Sequence, residues 1–145
     1  MHILVSGACG YIGSLLCDYL LKCNFKVTGV DNCFYNNAPS IFNLLGNRKF
    51  DFIKNDVARL NFKNYDIIIA CHGLVGMPIC KKLSSVAWYT NSESIKNIVS
   101  SLGKDQKLIV PNTNSGYGAT DGKTACTEDS PMNPISVYGQ SKCQG

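Results

Sequence analysis

Tyr138 and Lys142 stand four residues apart in the segment Pro131-Met132-Asn133-Pro134-Ile135-Ser136-Val137-Tyr138-Gly139-Gln140-Ser141-Lys142. On a helix that spacing puts a phenol and an ammonium on one face, a turn apart. An ammonium beside a phenol favours the phenolate, so the pair can take and return a proton near working pH. The spacing is common by itself. It gains meaning from Pro111-Asn112-Thr113-Asn114-Ser115-Gly116-Tyr117-Gly118 upstream, which follows an apolar run.

A second chemical signal lies near the start. Gly7-Ala8-Cys9-Gly10-Tyr11-Ile12-Gly13 places a glycine at every third position directly after Ile3-Leu4-Val5. Glycine there allows a sharp turn, close approach of backbone to a pyrophosphate, and tight packing of helix on strand. The helix that follows would offer unpaired N–H groups and a positive dipole end to phosphates. Asp31 closes the next apolar run, 18 residues beyond Gly13. A carboxylate at about that distance binds adenosine ribose hydroxyls, although Asp31-Asn32 taken alone is equally a turn after a strand. A 2′-phosphate would meet the negative charge of Asp31, and no arginine lies nearby to accept it, so the sequence predicts NAD rather than NADP.

These residues need a frame. Short β-branched runs recur at Ile3-Leu4-Val5, Lys26-Val27-Thr28-Gly29-Val30, Phe50-Asp51-Phe52-Ile53, Ile67-Ile68-Ile69 and Leu108-Ile109-Val110. Such runs suit parallel strands covered on both faces. Ile12, Leu15, Leu16, Tyr19 and Leu20 have the 3–4 spacing of a helix with an apolar face, ending near Asn24. A second helix is expected from about Val86 to Ser101, with Ile95, Ile98, Val99 and Leu102 inward. The crossover from Asn55 to Tyr65 has room for a turn or two of helix. Strands alternating with helical patterns predict an α/β fold, a Rossmann-type doubly wound parallel sheet; the order 3-2-1-4-5 is expected by analogy with that fold. Trp88 and Tyr89 read as packing residues, and Lys81-Lys82 as a solvated helix end.

Composition narrows the class. The chain has 145 residues, 45% hydrophobic and 17% charged, which excludes a disordered chain and suffices for one domain. No apolar stretch nears the ~18 residues of a membrane span, and the first residues lack the charged leader of a signal peptide. Net charge is +4, and the adjacent basic residues are only the isolated pairs Arg48-Lys49 and Lys81-Lys82, so no nucleic-acid surface is predicted. The eight cysteines form no Cys-x-x-Cys and no metal-ligand spacing with histidine. They read as reduced, small hydrophobes of a cytoplasmic protein, with no metal site.

Taken in order, the motifs resemble the extended short-chain dehydrogenase/reductases, the NAD-dependent nucleotide-sugar epimerase/dehydratase family. The resemblance runs from residue 2 to the last. It is carried by Gly7-x-x-Gly10-Tyr11-Ile12-Gly13, Asp31-Asn32, Asp56-Val57, Asp66, Asn91, Thr113 with Tyr117-Gly118, and Glu128-x-x-Pro131-x-x-Pro134-x-x-x-Tyr138-Gly139-x-Ser141-Lys142. It implies that Thr113 hydrogen-bonds the reacting substrate oxygen and that Tyr138 is the general acid/base. Lys142 would hold the nicotinamide ribose and favour the tyrosinate, and Asn91 would support this site. Asp56 and Val57 would contact the adenine, while Tyr11 and Ile12 lie along the pyrophosphate and ribose. The implied reaction is proton removal from a sugar hydroxyl by Tyr138 as hydride leaves the same carbon for the nicotinamide.

Two departures from the family pattern bear on function. Where the family has Leu-Ala-Ala after its fourth strand, this chain has Cys71-His72-Gly73. His72 reads either as a loop-proximal histidine or as a contact to cofactor or substrate. The 4,6-dehydratase branch places Asp-Glu after its catalytic threonine, and this chain has Asn114-Ser115. Neither titrates usefully near pH 7, so epimerisation or simple oxidoreduction outranks dehydration. The leading expectation is therefore an NAD-dependent nucleotide-sugar epimerase, or the N-terminal part of one. A nucleotide-sugar reductase or dehydratase, or a non-catalytic dinucleotide-binding remnant, stays open. The resemblance further implies a substrate lobe beyond Gly145, little sugar turnover by residues 1–145 alone, and a homodimer in the full-length form.

Overall fold

A computed structural model describes residues 1–119 and 125–145. The chain divides into two compact units, Met1–His72 with Asn97–Pro111, and Gly73–Lys96 with Asn112–Gly145.

The first unit holds a parallel sheet of β1 (His2–Ser6), β2 (Lys26–Asp31), β3 (Phe50–Lys54), β4 (Ile67–Ala70) and β5 (Lys107–Ile109). The order is β3-β2-β1-β4-β5, as analogy with the fold leads one to expect. β1 is central, with Ile3 opposite both Val27 and Ile67. Its residues Leu4 and Val5 are wholly buried, as are Val27, Val30 and Ile68 on the flanking strands. Each such side chain contributes about 1.5–3 kcal/mol of burial, which is why this centre can be almost purely aliphatic. β5 is an edge strand ending one residue earlier than expected, with Ile109 half exposed.

The α1 helix (Tyr11–Lys22) turns inward a face that shares only Leu16 and Leu20 with the one its apolar spacing suggests. Gly13, Cys17, Leu20 and Leu21 are buried, whereas Ile12, Leu15 and Tyr19 are 59%, 57% and 63% exposed. The reason is Gly13. A Cβ there would overlap the Gly7 carbonyl oxygen, so this face must lie against the turn. Residues 17, 20 and 21 then follow it inward at helical spacing. The helix ends in a Schellman arrangement: Asn24 takes φ +67, its N–H donates to Leu21 O, and Phe25 N–H donates to Leu20 O. After β3, the crossover contains one 3-10 turn, Val57–Arg59, as its length predicts.

The second unit is helical. A short α2 (Met77–Lys82) ends on the exposed Lys81 and Lys82. The expected long helix is interrupted: α3 (Ser84–Trp88) leads through a π turn (Tyr89–Glu93) into α4 (Ser94–Ser101), whose residues from Asn97 on belong to the first unit. Ile95 and Ile98 are buried, but Val99 is 53% exposed. Trp88 is half buried and Tyr89 is exposed, so only the tryptophan packs as expected. A 3-10 turn (Asn114–Tyr117) and α5 (Val137–Gln144) complete the unit.

Candidate functional site

In the first unit the glycine turn is tightly determined. Gly7 has φ +69, and a Cβ there would lie 2.7 Å from the His72 backbone. Gly10 N–H donates to Gly7 O (2.9 Å), and Ser14 N–H donates to Gly10 O (3.0 Å), so the turn flows directly into α1. Gly10 caps that helix without any side-chain hydrogen bond, and its first turn carries no acidic residue. The opening N–H groups of α1 are thus left to a ligand of negative charge. Tyr11 and Ile12, directly behind the turn, are 85% and 59% exposed.

Asp31 ends β2 beside this turn. Its Oδ2 accepts from Cys9 N–H (3.0 Å) and its Oδ1 from Cys33 N–H (2.7 Å). The carboxylate is thereby oriented by two backbone donors. Asn32 is exposed, its Oδ1 accepting from Phe34 N–H (3.0 Å). Asp56 caps the 3-10 turn after β3 by accepting from Ala58 N–H (3.0 Å), and Val57 is 6% exposed. Beyond β4, Cys71 and His72 are half buried, and His72 Nδ1 is hydrogen-bonded to Ser6 Oγ at the end of β1. His72 therefore has a structural partner, and its backbone forms the wall against which Gly7 is pressed.

The second unit carries the other candidates. Ser136 Oγ accepts from Gly139 N–H (3.0 Å) and so starts α5 two residues before Tyr138. The Tyr138 ring packs on Leu74, Cys80 and Ala87, and Lys142, one turn later, is half buried. Glycine lets this helix meet the Thr113 turn closely. A Cβ on Gly139 would lie 2.7 Å from Ser115 O, and one on Gly116 would lie 2.6 Å from Cys143 Sγ. Thr113 caps that turn, its Oγ1 accepting from Ser115 N–H (3.2 Å).

Asn91 is 1% exposed and sits in the π turn. Its Oδ1 accepts from Leu74 N–H (2.8 Å), and its Nδ2 donates to Leu74 O (3.0 Å) and to Ser141 Oγ (3.0 Å). Both amide protons are used, which makes it a positioning residue for α5 and for the segment beginning at Gly73. A Cβ on Gly73 would lie 3.2 Å from the same Asn91 Oδ1.

One grouping escaped sequence reasoning. Cys9, Asp31 and Cys33 present ligand atoms all within 4.8 Å of one another. Cysteines 24 positions apart look unrelated in sequence. They meet because each follows one of two adjacent parallel strands, so strand pairing rather than local spacing was the signal.

A sequence profile described as the NAD dependent epimerase/dehydratase family matches residues 3–145. UDP-glucose 4-epimerase 3 of Oryza sativa subsp. japonica is 28% identical over 156 aligned residues, covering 97% of this chain and 41% of that protein. An uncharacterised UDP-glucose epimerase of Bacillus subtilis is 30% identical, covering 100% of this chain and 49% of the relative. Among solved structures, UDP-glucuronic acid 4-epimerase from Bacillus cereus, in complex with UDP-glucuronic acid and NAD, superposes with a TM-score of 0.90 at 27% identity. That match covers 99% of this chain and 49% of the other. The chain thus spans about half the length of the relatives it matches. With the profile covering nearly every residue, the protein belongs to the NAD dependent epimerase/dehydratase family.

Proposed function

We propose that this chain binds NAD and supplies the proton-transfer residues of a nucleotide-sugar epimerase, acting on a UDP-sugar as its relatives' names describe. The observation that carries this reading is Tyr138 one turn before Lys142 on α5, a helix started by Ser136 and held by Asn91 through Ser141. The residues of the first unit fit the dinucleotide. A turn that excludes any Cβ at Gly7 and Gly13, the uncapped start of α1, and the oriented Asp31 carboxylate suit pyrophosphate and ribose hydroxyls. Tyr11, Ile12, Asn32, Asp56, Val57, Cys71, His72 and Gly73 complete the proposed cofactor set.

When bound, NAD supplies the hydride acceptor and donor. The chain's own residues manage the proton and the substrate. Thr113 Oγ1 hydrogen-bonds the sugar oxygen, and Tyr138 Oη takes its proton as the carbon is oxidised and returns it on reduction. Lys142 places positive charge a turn away, stabilising negative charge on the phenol oxygen and holding the nicotinamide ribose. Asn114 and Ser115 offer no acid and base for eliminating water, which favours epimerisation over dehydration. A reductase would use the same three residues but consume the cofactor.

Three wider assignments belong to this reading. The eight free cysteines support a reducing, cytoplasmic setting. We assign sugar selection to sequence outside residues 1–145, supported by the coverage of about half of each relative, and a homodimer to the full-length form. Among the described residues no helix is long and apolar enough to cross a membrane.

Thermal unfolding with each dinucleotide tests the cofactor assignment. NAD at a hundred times its Kd contributes about 2.7 kcal/mol, a rise of several degrees in Tm, and NADP gives less. Stabilisation by NADP with none by NAD overturns it. Incubation with NAD and UDP-sugars tests the rest. Robust turnover by these 145 residues overturns the assignment of sugar selection elsewhere. Turnover with net NADH formation would favour the oxidoreductase alternative.

A further inference from the structure

Beside the glycine turn, two thiols and a carboxylate converge. Cys9 is 2% exposed and Cys33 is 8% exposed, and with Asp31 their ligand atoms lie within 4.8 Å of one another. A tetrahedral ion with metal–sulfur bonds of about 2.3 Å holds its sulfur ligands about 3.8 Å apart, so closure asks for at most about 1 Å of movement.

The cluster is also held from several sides. Cys9 O accepts from Asn37 Nδ2 (2.8 Å) and Ser40 Oγ (2.8 Å), while Cys9 N–H and Cys33 N–H both donate to Asp31. Cys33 is kept at φ +57, a left-handed conformation that a cysteine rarely adopts. Asn37 Oδ1 is buried with no hydrogen-bond partner among the described residues.

We propose that Cys9, Asp31 and Cys33 form a three-ligand site for a thiophilic divalent cation of the Zn²⁺ or Cd²⁺ type, open at its fourth position. Binding converts both thiols to thiolates and releases two protons to solvent, with two metal–sulfur bonds and one metal–oxygen bond formed. Because both thiols must lose their protons to ligate, the ion binds more tightly as pH rises. The ion would occupy the carboxylate that the proposed function gives to the ribose hydroxyls. Metal and dinucleotide therefore compete, a consequence that rests on that reading, whereas the site itself does not.

Titration of the reduced protein with Cd²⁺, without dinucleotide, tests the site through ultraviolet thiolate-to-metal charge-transfer absorption. The band should saturate at about one equivalent. Cys9→Ser and Cys33→Ser should each weaken binding at least tenfold, while Cys23→Ser and Cys126→Ser leave it unchanged. An undiminished band in the first two variants overturns the proposal. Should those variants fail to fold, the unaltered protein carries the test: Cd²⁺ must slow alkylation of Cys33 at least tenfold, relative to exposed Cys23. Equal rates with and without Cd²⁺ overturn the site. NAD should then raise the Cd²⁺ concentration for half-saturation at least tenfold. A band indifferent to NAD overturns the competition and leaves the metal site standing.

Discussion

Asn91 Nδ2 donates a 3.0 Å hydrogen bond to Ser141 Oγ, joining the π turn to the middle of α5 between residues 50 apart in sequence. The same side chain satisfies both backbone groups of Leu74. Asn91→Ala removes three hydrogen bonds and leaves Leu74 N–H without its partner, while Leu74 O keeps Cys80 Sγ and Ser141 Oγ keeps Tyr138 O. The expected cost is on the order of 3 kcal/mol, roughly 10 °C in Tm. Ser141→Ala removes one of these bonds and should cost about 1 kcal/mol. Thermal unfolding followed by circular dichroism checks both, and equal effects of the two variants would contradict the network.

Gly13 and Gly46 separate two uses of glycine. A methyl at Gly13 would overlap Gly7 O and lie 2.8 Å from Gly7 C, backbone atoms with nowhere to go. Gly13→Ala should cost about 2–3 kcal/mol and abolish the NAD-dependent rise in Tm. A methyl at Gly46 meets nothing within 4 Å. Gly46→Ala should be neutral or stabilise by up to about 1 kcal/mol through the unfolded chain, leaving the NAD response intact. Urea denaturation of the pair measures the contrast.

His2 makes the fold sensitive to acid. Its Nε2 is hydrogen-bonded to Thr28 Oγ1 (2.8 Å), and its ring packs edge-on to Tyr65 at 4.7 Å. Burial, then the Lys26 charge, lower its pKa below the ordinary 6.5, against smaller opposing contributions from Asn64 O, Asp51 and Asp66. The folded state thus prefers neutral histidine. Its contribution is present above pH ~6.5 and lost as pH falls through the folded value. His2→Gln should flatten the stability–pH curve across that window, and an unchanged slope would show that other groups set it.

At the alkaline end, Cys17 behaves oppositely. It is wholly buried, and burial followed by Cys71 pushes its thiol up from 9.0 to about 12. The folded state disfavours thiolate. Its contribution is complete below pH 9 and is lost as pH climbs from 9 toward 12. Cys17→Ala should unfold at higher pH than the unaltered protein, at the expense of about 1 kcal/mol at neutral pH. Alkaline titration of tryptophan fluorescence gives the two midpoints.

The strands, the glycine turn and the Tyr138–Lys142 helix were legible because each is written locally, as an apolar run, a glycine period or a one-turn spacing, whereas the strand order came from analogy with the fold. The face of α1 was only partly legible. Apolar counting chose Ile12, Leu15, Leu16, Tyr19 and Leu20, of which Leu16 and Leu20 do pack on the core, but the exact face is set by Gly13 against Gly7 O, a contact between backbones that hydrophobic spacing cannot register. The π turn hid for a related reason: Ile95 and Ile98 keep helical spacing after it, while the extra residue precedes them. The catalytic candidates were found by type. What fixes them, Gly139 against Ser115 and Asn91 on Ser141, depends on pairs far apart in the chain.

The π turn at Tyr89–Glu93 gives this stretch an unusual evolutionary constraint. In an ordinary α-helix each residue turns the chain by 100°, so removing one residue rotates everything downstream relative to everything upstream. Here one residue is already surplus to the α repeat. Losing it at Tyr89 or Thr90 would relax the turn to regular helix yet swing Asn91 away from Leu74 or Ser94 and Ile95 out of register. Substitution at exposed Glu93 is tolerable; a single-codon deletion nearby is not. Descendants of this sequence can vary their letters here far more freely than their length.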